Sequence, residues 1–225
     1  HLPQRIEVQD TAQASPDIQQ RAIEVDAVQR TQLLRQLIQQ EGWSRTLVFV
    51  ASKHAAEMVA EKLSKTGMQA EALHGELSQG RRTRVLQSFK QSSAEEGARV
   101  LVATDVAARG IDIVQLPAVV NYDLPRSTTD YTHRIGRTAR AGGSGVAISF
   151  VSAHTEAHLR LIEKRTHSRI PRERIAGFEP VEVLAPNPAD LAATGGVKGT
   201  RPSKKDKLRA AAASEQAKAN ARNAD

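Results

Sequence analysis

The segment Arg99–Ala103 (RVLVA) is an unbroken apolar and β-branched run near the middle of the chain. This pattern predicts a strand that is buried on both faces of a sheet, because a half-exposed strand would alternate apolar and polar residues. Arg45–Val50 (RTLVFV) repeats the pattern. Shorter strands are predicted at Gln69–Leu73, Ala118–Tyr122 and Gly145–Val151. Strands of this kind are typical of a parallel sheet that helices cover on both sides.

Helical patterns separate the predicted strands. Apolar residues recur at helical spacing after Ser52, a residue type that caps helix N-termini; they are Ala56, Val59, Ala60 and Leu63. Further helices are predicted at Val28–Glu41, from Ser78, from the capping sequence Ser127–Asp130, and over Ala153–Thr166. Alternation of this kind requires right-handed crossovers between parallel strands. We therefore expect an α/β fold, a three-layer sandwich with a mostly parallel central sheet.

The composition excludes several classes of protein. The chain has 225 residues and no cysteine, which rules out disulfides, thiolate zinc sites, iron–sulfur clusters and cysteine nucleophiles. No apolar run is long enough to span a bilayer, and the first residues do not form a basic-then-apolar leader. His154 and His158 have the spacing of zinc ligands on a helix, but Glu156 is out of order for that motif. We expect a cytoplasmic protein without a metal site or a membrane partner.

The positive charge is concentrated at the end of the chain. The formal net charge is +7, and residues 197–225 contain eight Lys or Arg against three Asp or Glu, which leaves the rest nearly neutral. Residues Ala185–Asp225 lack aromatics and have few branched aliphatic side chains, so we expect a disordered basic tail. Such a tail either keeps the protein soluble or binds RNA without sequence preference, and the sequence leaves both interpretations open.

Polar and charged residues follow the predicted strands, at the edge where parallel sheets bind ligands. After Arg99–Ala103 come Thr104, Asp105, Gly110 and Asp112, which suit contacts to a phosphate and to a ribose hydroxyl. A plain turn before a capped helix would explain the same spacing, so this segment alone does not decide between the two.

A cluster of basic residues gives a stronger signal. Arg134, Arg137 and Arg140 are each three positions apart, and no acid occurs between Asp130 and Glu156 to relieve their repulsion. Guanidinium groups match phosphate oxygens in a bidentate manner, so the cluster favours an external anion over an ordinary basic surface. A further basic run, Arg81–Arg84, follows the strand at Gln69–Leu73. Together these segments indicate a phosphate-rich polymer lying across the strand ends.

Four of these segments resemble the ordered motifs of the DEAD-box RNA helicases. Thr104–Asp112 (TDVAARGID) and His133–Arg140 (HRIGRTAR) resemble motifs V and VI. Leu47–Lys53 (LVFVASK) resembles motif IV, and Gln79–Arg82 (QGRR) resembles the QxxR element. The resemblance extends over roughly residues 20–178, and Ile170–Pro180 is similar to the exit segment of bacterial RhlE-like members.

The resemblance implies a domain organisation. Residues 1–19 would be a linker from an N-terminal domain, residues 20–184 the RecA-like C-terminal domain of the helicase core, and residues 185–225 the basic tail. The N-terminal half of such a core carries the Walker lysine and the Asp-Glu-Ala-Asp quartet, and neither motif occurs in this sequence. ATP with Mg²⁺ would therefore be bound mainly by that other half, and this chain alone is expected not to hydrolyse ATP.

The resemblance also assigns roles to single residues. Arg137 and Arg140 match the catalytic arginine fingers, and together with Asp112, which matches a ribose contact, they would bind ATP. His133 matches a residue that couples the two domains. The residues that match RNA-binding positions are Ser52, His74, Gly75, Arg82, Thr104 and Gly110. We expect Arg109 and Arg134 to pair with acids of the same domain, for which Asp105 is a candidate.

These expectations define a function and its alternatives. The first is the C-terminal motor domain of an ATP-dependent RNA helicase, whose partners are RNA and the N-terminal domain of the same enzyme. The alternative is a non-catalytic RNA-binding or adaptor module on a RecA-like scaffold. A DNA-directed translocase is less favoured, because related groups usually carry Gln where His133 stands. The sequence does not indicate which RNA is remodelled or whether the chain forms oligomers.

Overall fold

A computed structural model describes residues 18–91, 99–111, 113, 115–138 and 145–182. The chain divides into two units, His1–Val183 and Leu184–Asp225, and all described residues belong to the first. The expected tail at 185–225 and most of the expected linker at 1–19 lie outside the described residues, as do Asp112 and Arg140.

Strands and helices alternate along the described chain. The strands are β1 (Ile18–Glu24), β2 (Arg45–Phe49), β3 (Gln69–Leu73), β4 (Arg99–Ala103), β5 (Ala118–Asn121), β6 (Gly145–Val151) and β7 (Arg172–Glu173). The helices are α1 (Arg30–Glu41), α2 (Lys53–Ser64), α3 (Gln79–Lys90), α4 (Asp105–Ala108), α5 (Thr128–Ile135) and α6 (Glu156–Thr166). Among the described residues, no helix has the length and apolarity needed to cross a membrane.

The strands form one sheet of seven in the order β3-β4-β2-β5-β6-β1-β7. Each described pairing is parallel, and Leu47 of β2 lies opposite Leu101 of β4 and Val119 of β5. The expected parallel sheet is confirmed. Because all strands run in the same direction, their carboxyl ends meet at one edge, and the segments that follow β2, β3 and β4 lie side by side there.

Helices cover both faces of the sheet, because the side chains of each strand alternate between them. On one face, Val48 and Val50 pack in a core with residues of α1 and α2, and buried Trp43 belongs to this core. On the other face, Leu47 and Phe49 pack with residues of α3 and α4. A third core, built on β1 and β6, includes residues of α5 and α6. The three-layer sandwich expected from the sequence is confirmed.

Two strands were not predicted from the sequence. Strand β1 begins at Ile18, inside the segment expected to be a linker, and β7 is only Arg172–Glu173. In β1 (IQQRAIE) polar residues outnumber apolar ones, so no strand pattern is visible. Its backbone pairs with β6 on one side and with β7 on the other. Two predicted helices also begin later than expected, α1 at Arg30 and α6 at Glu156.

Candidate nucleic-acid and nucleotide interface

The carboxyl edge of the sheet brings several predicted site residues together. Ser52 follows β2, His74 and Gly75 follow β3, and Thr104 follows β4. The ends of the three neighbouring strands are fixed to one another, because the backbone N–H of Thr104 donates to Leu73 (3.2 Å) and that of Val50 donates to Ala103 (3.0 Å). The backbone around these residues therefore forms one continuous surface.

Two helix N-termini open onto this surface. The Oγ of Ser52 accepts a hydrogen bond from the N–H of Ala55 (3.1 Å) at the start of α2. The Oγ of Ser78 accepts one from the N–H of Arg81 (3.4 Å) at the start of α3. The N-terminus of a helix carries partial positive charge and unpaired N–H groups, so an anion is stabilised beside it. The surface is therefore suited to phosphate groups.

The predicted RNA-binding side chains differ in how accessible they are. Ser52, Gly75 and Gly110 are exposed, whereas Arg82 and Thr104 are half-buried. Arg82 donates from Nη2 to the carbonyl oxygen of Ala107 (2.7 Å), which holds α3 against α4. The residue His74 is only 4% exposed, so its imidazole does not face the surface, and only its backbone can contribute to an RNA site.

Arg134, the first arginine of the basic cluster, is only 2% exposed and stabilises the folded domain. Its Nε and Nη2 donate to the two carboxylate oxygens of Asp105 at 2.7 and 2.8 Å. Its Nη1 donates to Oδ1 of Asn121 (3.0 Å) and to the carbonyl oxygen of Asp123 (2.7 Å). The guanidinium also lies 4.8 Å from the ring centre of Phe49. The expected pairing of Arg134 with Asp105 is confirmed.

Arg109 also pairs within the domain, as expected, but its partner is Asp130. The guanidinium donates from Nη2 to Oδ1 of Asp130 at 2.8 Å. Asp130 also accepts from the hydroxyl of Ser127 (2.7 Å), whose own oxygen accepts from the N–H of Asp130 (3.0 Å). The hydrogen bond from Ser127, followed by that from Arg109, holds the pKa of Asp130 below its usual value. The capping sequence predicted at Ser127–Asp130 thus forms, and Arg109 joins it.

Arg137 follows α5 and lies at a small cleft beside Arg134. Its Nη1 donates to the carbonyl oxygen of Ile111 (2.8 Å), in the backbone just before Asp112. Exposed His133 lines the same cleft. The cleft has a volume of about 240 Å³, and its other lining residues are Phe49, Asp105, Ala108, Arg109, Gly110, Asp130 and Arg134. Segments resembling motifs IV, V and VI therefore meet at one place, with a guanidinium and an imidazole on its wall.

A larger cavity of about 850 Å³ lies elsewhere, between α6 and residues 167–172. Arg172 lines this cavity and donates to both carboxylate oxygens of Glu163 (2.8 and 2.9 Å) and of Glu156 (3.1 and 3.2 Å). The sequence did not point to this cluster, because its charged residues come from two separate elements. The cluster joins β7 to α6.

The described residues show no candidate metal centre. Within the described ranges, no group of three or more His, Cys, Asp or Glu side chains is placed to hold a metal ion. His158, which has zinc-ligand spacing from His154, donates from Nε2 to the carbonyl oxygen of Pro125 (2.7 Å). That hydrogen bond gives the imidazole a structural role.

Comparison with known sequences places the chain among helicases. The family described as "Helicase conserved C-terminal domain" matches residues 29–142. The DEAD-box ATP-dependent RNA helicase CshA of Bacillus cereus is 39% identical over 170 residues, which cover 76% of this chain and 32% of that protein. The ATP-dependent RNA helicase RhlB of Pseudomonas syringae is 37% identical over 171 residues, covering 76% and 42%. The chain thus spans less than half the length of these curated relatives.

Comparison with solved structures gives the same result. The Escherichia coli DEAD-box protein SrmB, solved bound to regulator of ribonuclease activity A, matches with a TM-score of 0.67 and 37% identity, over 74% of this chain and 96% of that chain. Saccharomyces cerevisiae Dbp5, solved bound to RNA and ADP BeF3, matches with a TM-score of 0.61 and 35% identity, over 71% and 41%. The chain therefore belongs to the family of helicase conserved C-terminal domains and carries the RecA-like C-terminal domain of the DEAD-box ATP-dependent RNA helicases.

Proposed function

We propose that this chain is the second motor domain of an ATP-dependent RNA helicase. It binds the RNA backbone along the carboxyl edge of its sheet and completes the ATP site of a partner domain in the same enzyme. The observation that supports the proposal most directly is the cleft at the ends of β2 and β4, where Arg137 and His133 lie beside buried Arg134 and its partner Asp105.

Arg137 and Arg140 are the catalytic residues in this proposal. Transfer of the γ-phosphoryl group of ATP spreads negative charge over its equatorial oxygens, and a guanidinium supplied by a second domain accelerates the reaction by about 10³–10⁵-fold in comparable enzymes. The hydrogen bond from Arg137 to the carbonyl oxygen of Ile111 (2.8 Å) supports this assignment, because it holds the guanidinium at the cleft. Arg140 and the ribose contact Asp112 are assigned from their positions in the motifs.

Binding of Mg²⁺ is assigned to the partner domain. Among the described residues there is no cluster of carboxylates that suits the ion. We propose that Mg²⁺ accompanies ATP on the N-terminal domain, where it would neutralise part of the negative charge of the phosphates. The contribution of this chain is positive charge from arginine. His133 is exposed and lines the cleft, which supports a contact with that domain when the two halves close around ATP.

The RNA-binding surface consists of backbone and helix ends together with Arg82 and Thr104. Gly75 supports this assignment, because its φ is not left-handed and a Cβ placed there would meet no atom within 4 Å. The fold itself thus gives no reason for a glycine at this position. Close approach of an RNA phosphate to the backbone would be a reason for glycine at this position. The N-termini of α2 and α3, capped by Ser52 and Ser78, favour the same phosphates.

A fusion of this chain to the N-terminal helicase domain of CshA tests the proposal. We expect RNA-stimulated ATP hydrolysis and unwinding of an RNA duplex, both lost in Arg137→Ala and Arg140→Ala. Arg165→Ala is the matched control, because Arg165 is an exposed arginine on α6. A fusion that binds RNA but shows no RNA-stimulated ATPase activity would support the adaptor alternative. Preference for a DNA duplex would support a DNA translocase.

A further inference from the structure

His74 is a buried titratable residue that the proposed function does not use. Its side chain is 5% exposed, and Nε2 lies 3.1 Å from Oε1 of Glu57 on α2. The geometry of that contact is not a hydrogen bond, and among the described residues neither ring nitrogen has a hydrogen-bond partner. A buried polar group without a partner is costly, so a specific role is expected for it.

His74 lies between the turn after β3 and helix α2. The backbone of His74 begins a turn, because its carbonyl oxygen accepts from the N–H of Leu77 (3.3 Å). Gly75 is the next residue and belongs to the proposed RNA surface. Glu57 lies in the second turn of α2, the helix that Ser52 caps. The contact between His74 and Glu57 therefore joins two segments that are proposed to bind the same RNA strand.

An ion pair joins the same two segments. Lys53, the first residue of α2, pairs with Glu76 in the turn after β3. Both of these side chains are more than half exposed, so their pair is screened by water and contributes little to rigidity. The pair of His74 with Glu57 differs from it, because the imidazole is fixed by burial and only the carboxylate reaches solvent at 60% exposure.

We propose that Glu57 and His74 form a positioning pair that holds the turn after β3 against α2. The pair keeps the backbone of Gly75 and the N-terminus of α2 at the spacing that an RNA backbone requires. This inference rests on the proposed RNA-binding function. Neither side chain touches RNA in this arrangement; the pair acts through Gly75 and Ser52.

The substitution Glu57→Gln tests the inference by whether RNA affinity falls or rises. An acid beside an RNA-binding surface repels phosphate, so removing its charge should strengthen RNA binding if Glu57 has no other role. The positioning pair predicts the opposite. We expect RNA affinity, measured by fluorescence anisotropy with the full chain and a single-stranded RNA, to fall about three- to tenfold. In the CshA fusion, the KM for RNA should rise while kcat stays unchanged.

Two controls separate positioning from general effects. Glu61→Gln removes an exposed acid from the same helix, where Glu61 pairs only with Lys65 among the contacts described, and reports the effect of charge alone. His74→Gln should weaken RNA binding as much as Glu57→Gln, and the double variant should be no weaker than the single ones. Thermal melting of Glu57→Gln should match the unsubstituted chain.

The outcomes are distinct from those of the proposed function. Equal or tighter RNA binding by Glu57→Gln, or additive losses in the double variant, would overturn the positioning pair while leaving the helicase function intact. If the unsubstituted fusion neither bound RNA nor showed RNA-stimulated ATPase activity, the proposed function itself would fail.

Discussion

Arg134 and Arg137 are three residues apart, yet they have different environments and roles in the structure. Arg134 is 2% exposed and donates to Asp105, Asn121 and Asp123. Arg137 is half-buried and lines the cleft, and it donates a hydrogen bond to the carbonyl oxygen of Ile111 (2.8 Å). Spacing alone identified a basic cluster. It did not separate the two roles, because the acceptors of Arg134 lie in α4, at the end of β5 and just after β5, and they meet it only in the folded domain.

This difference predicts unequal effects on stability. Arg134→Gln removes the guanidinium that donates to the half-buried carboxylate of Asp105 and to the buried Oδ1 of Asn121, and breaking such a pair costs about 3 kcal/mol. For a domain of this size, the melting temperature should fall by about 6–12 °C. Arg137→Ala removes one partly exposed hydrogen-bonding group and should lower the free energy of unfolding by only about 1 kcal/mol. Urea unfolding followed by circular dichroism measures both values, and equal losses would contradict the division of roles.

At the scale of elements, the strands that the sequence predicted best are those buried on both faces. Strands β2 and β4 are unbroken apolar runs, and their pattern alone indicates a parallel sheet. Strand β1 has no such pattern. It is held in place by backbone pairing with β6 and β7 and by the ion pair of Arg21 with Glu173 (2.7 Å). Contacts of that kind come from residues far apart in sequence and are not visible in any local window.

Helix α3 and the turn after α4 contain glycines that should respond in opposite ways to substitution by alanine. Gly80 lies in α3, its φ is not left-handed, and a Cβ there would meet no atom within 4 Å. Gly80→Ala should therefore raise the free energy of unfolding by about 0.5–1 kcal/mol. Gly110 has a φ of +73°, so Gly110→Ala should lower it by about 1 kcal/mol. The melting temperatures of both variants, compared with that of the unsubstituted chain, test these predictions. A stabilising Gly110→Ala would refute the assigned backbone conformation.

The joint between α6 and β7 predicts a dependence of stability on pH. Hydrogen bonds from Arg172 are the main reason that the pKa of Glu163 lies below its ordinary value of 4.5. Burial raises the pKa of Glu156, but hydrogen bonds from Arg172 and Arg160 outweigh this effect, so the pKa of Glu156 also lies below its ordinary value. A carboxyl with a lowered pKa in the folded state contributes stability above its ordinary pKa and loses that contribution as the pH falls through the lowered value.

The substitution Arg172→Met isolates this contribution. The unsubstituted chain should melt at a higher temperature than the variant at pH 7, and the difference should shrink as the pH falls below about 4.5. Melting curves between pH 7 and pH 3 measure it. A difference that stays constant over this range would show that Arg172 acts through packing and not through its ion pairs.

At the scale of the whole molecule, the uneven charge predicts how the chain binds RNA. Residues 197–225 contain eight basic and three acidic side chains, and each cation that meets a phosphate releases a counterion. Deleting Pro186–Asp225 should weaken binding about equally for RNAs of different sequence. It should also flatten the slope of log affinity against log salt concentration. Titrations at several salt concentrations test this, and an unchanged slope would assign the tail to solubility alone.

The central claim is that Arg137 completes an ATP site whose other wall belongs to a separate domain. The most direct measurement is the single-turnover rate of ATP hydrolysis by the CshA fusion, with RNA and enzyme in excess over ATP. We predict that Arg137→Ala slows this step by at least about a thousandfold, while affinity for RNA stays unchanged. A reduction of less than about tenfold would contradict it, because removal of a transition-state guanidinium cannot be so mild.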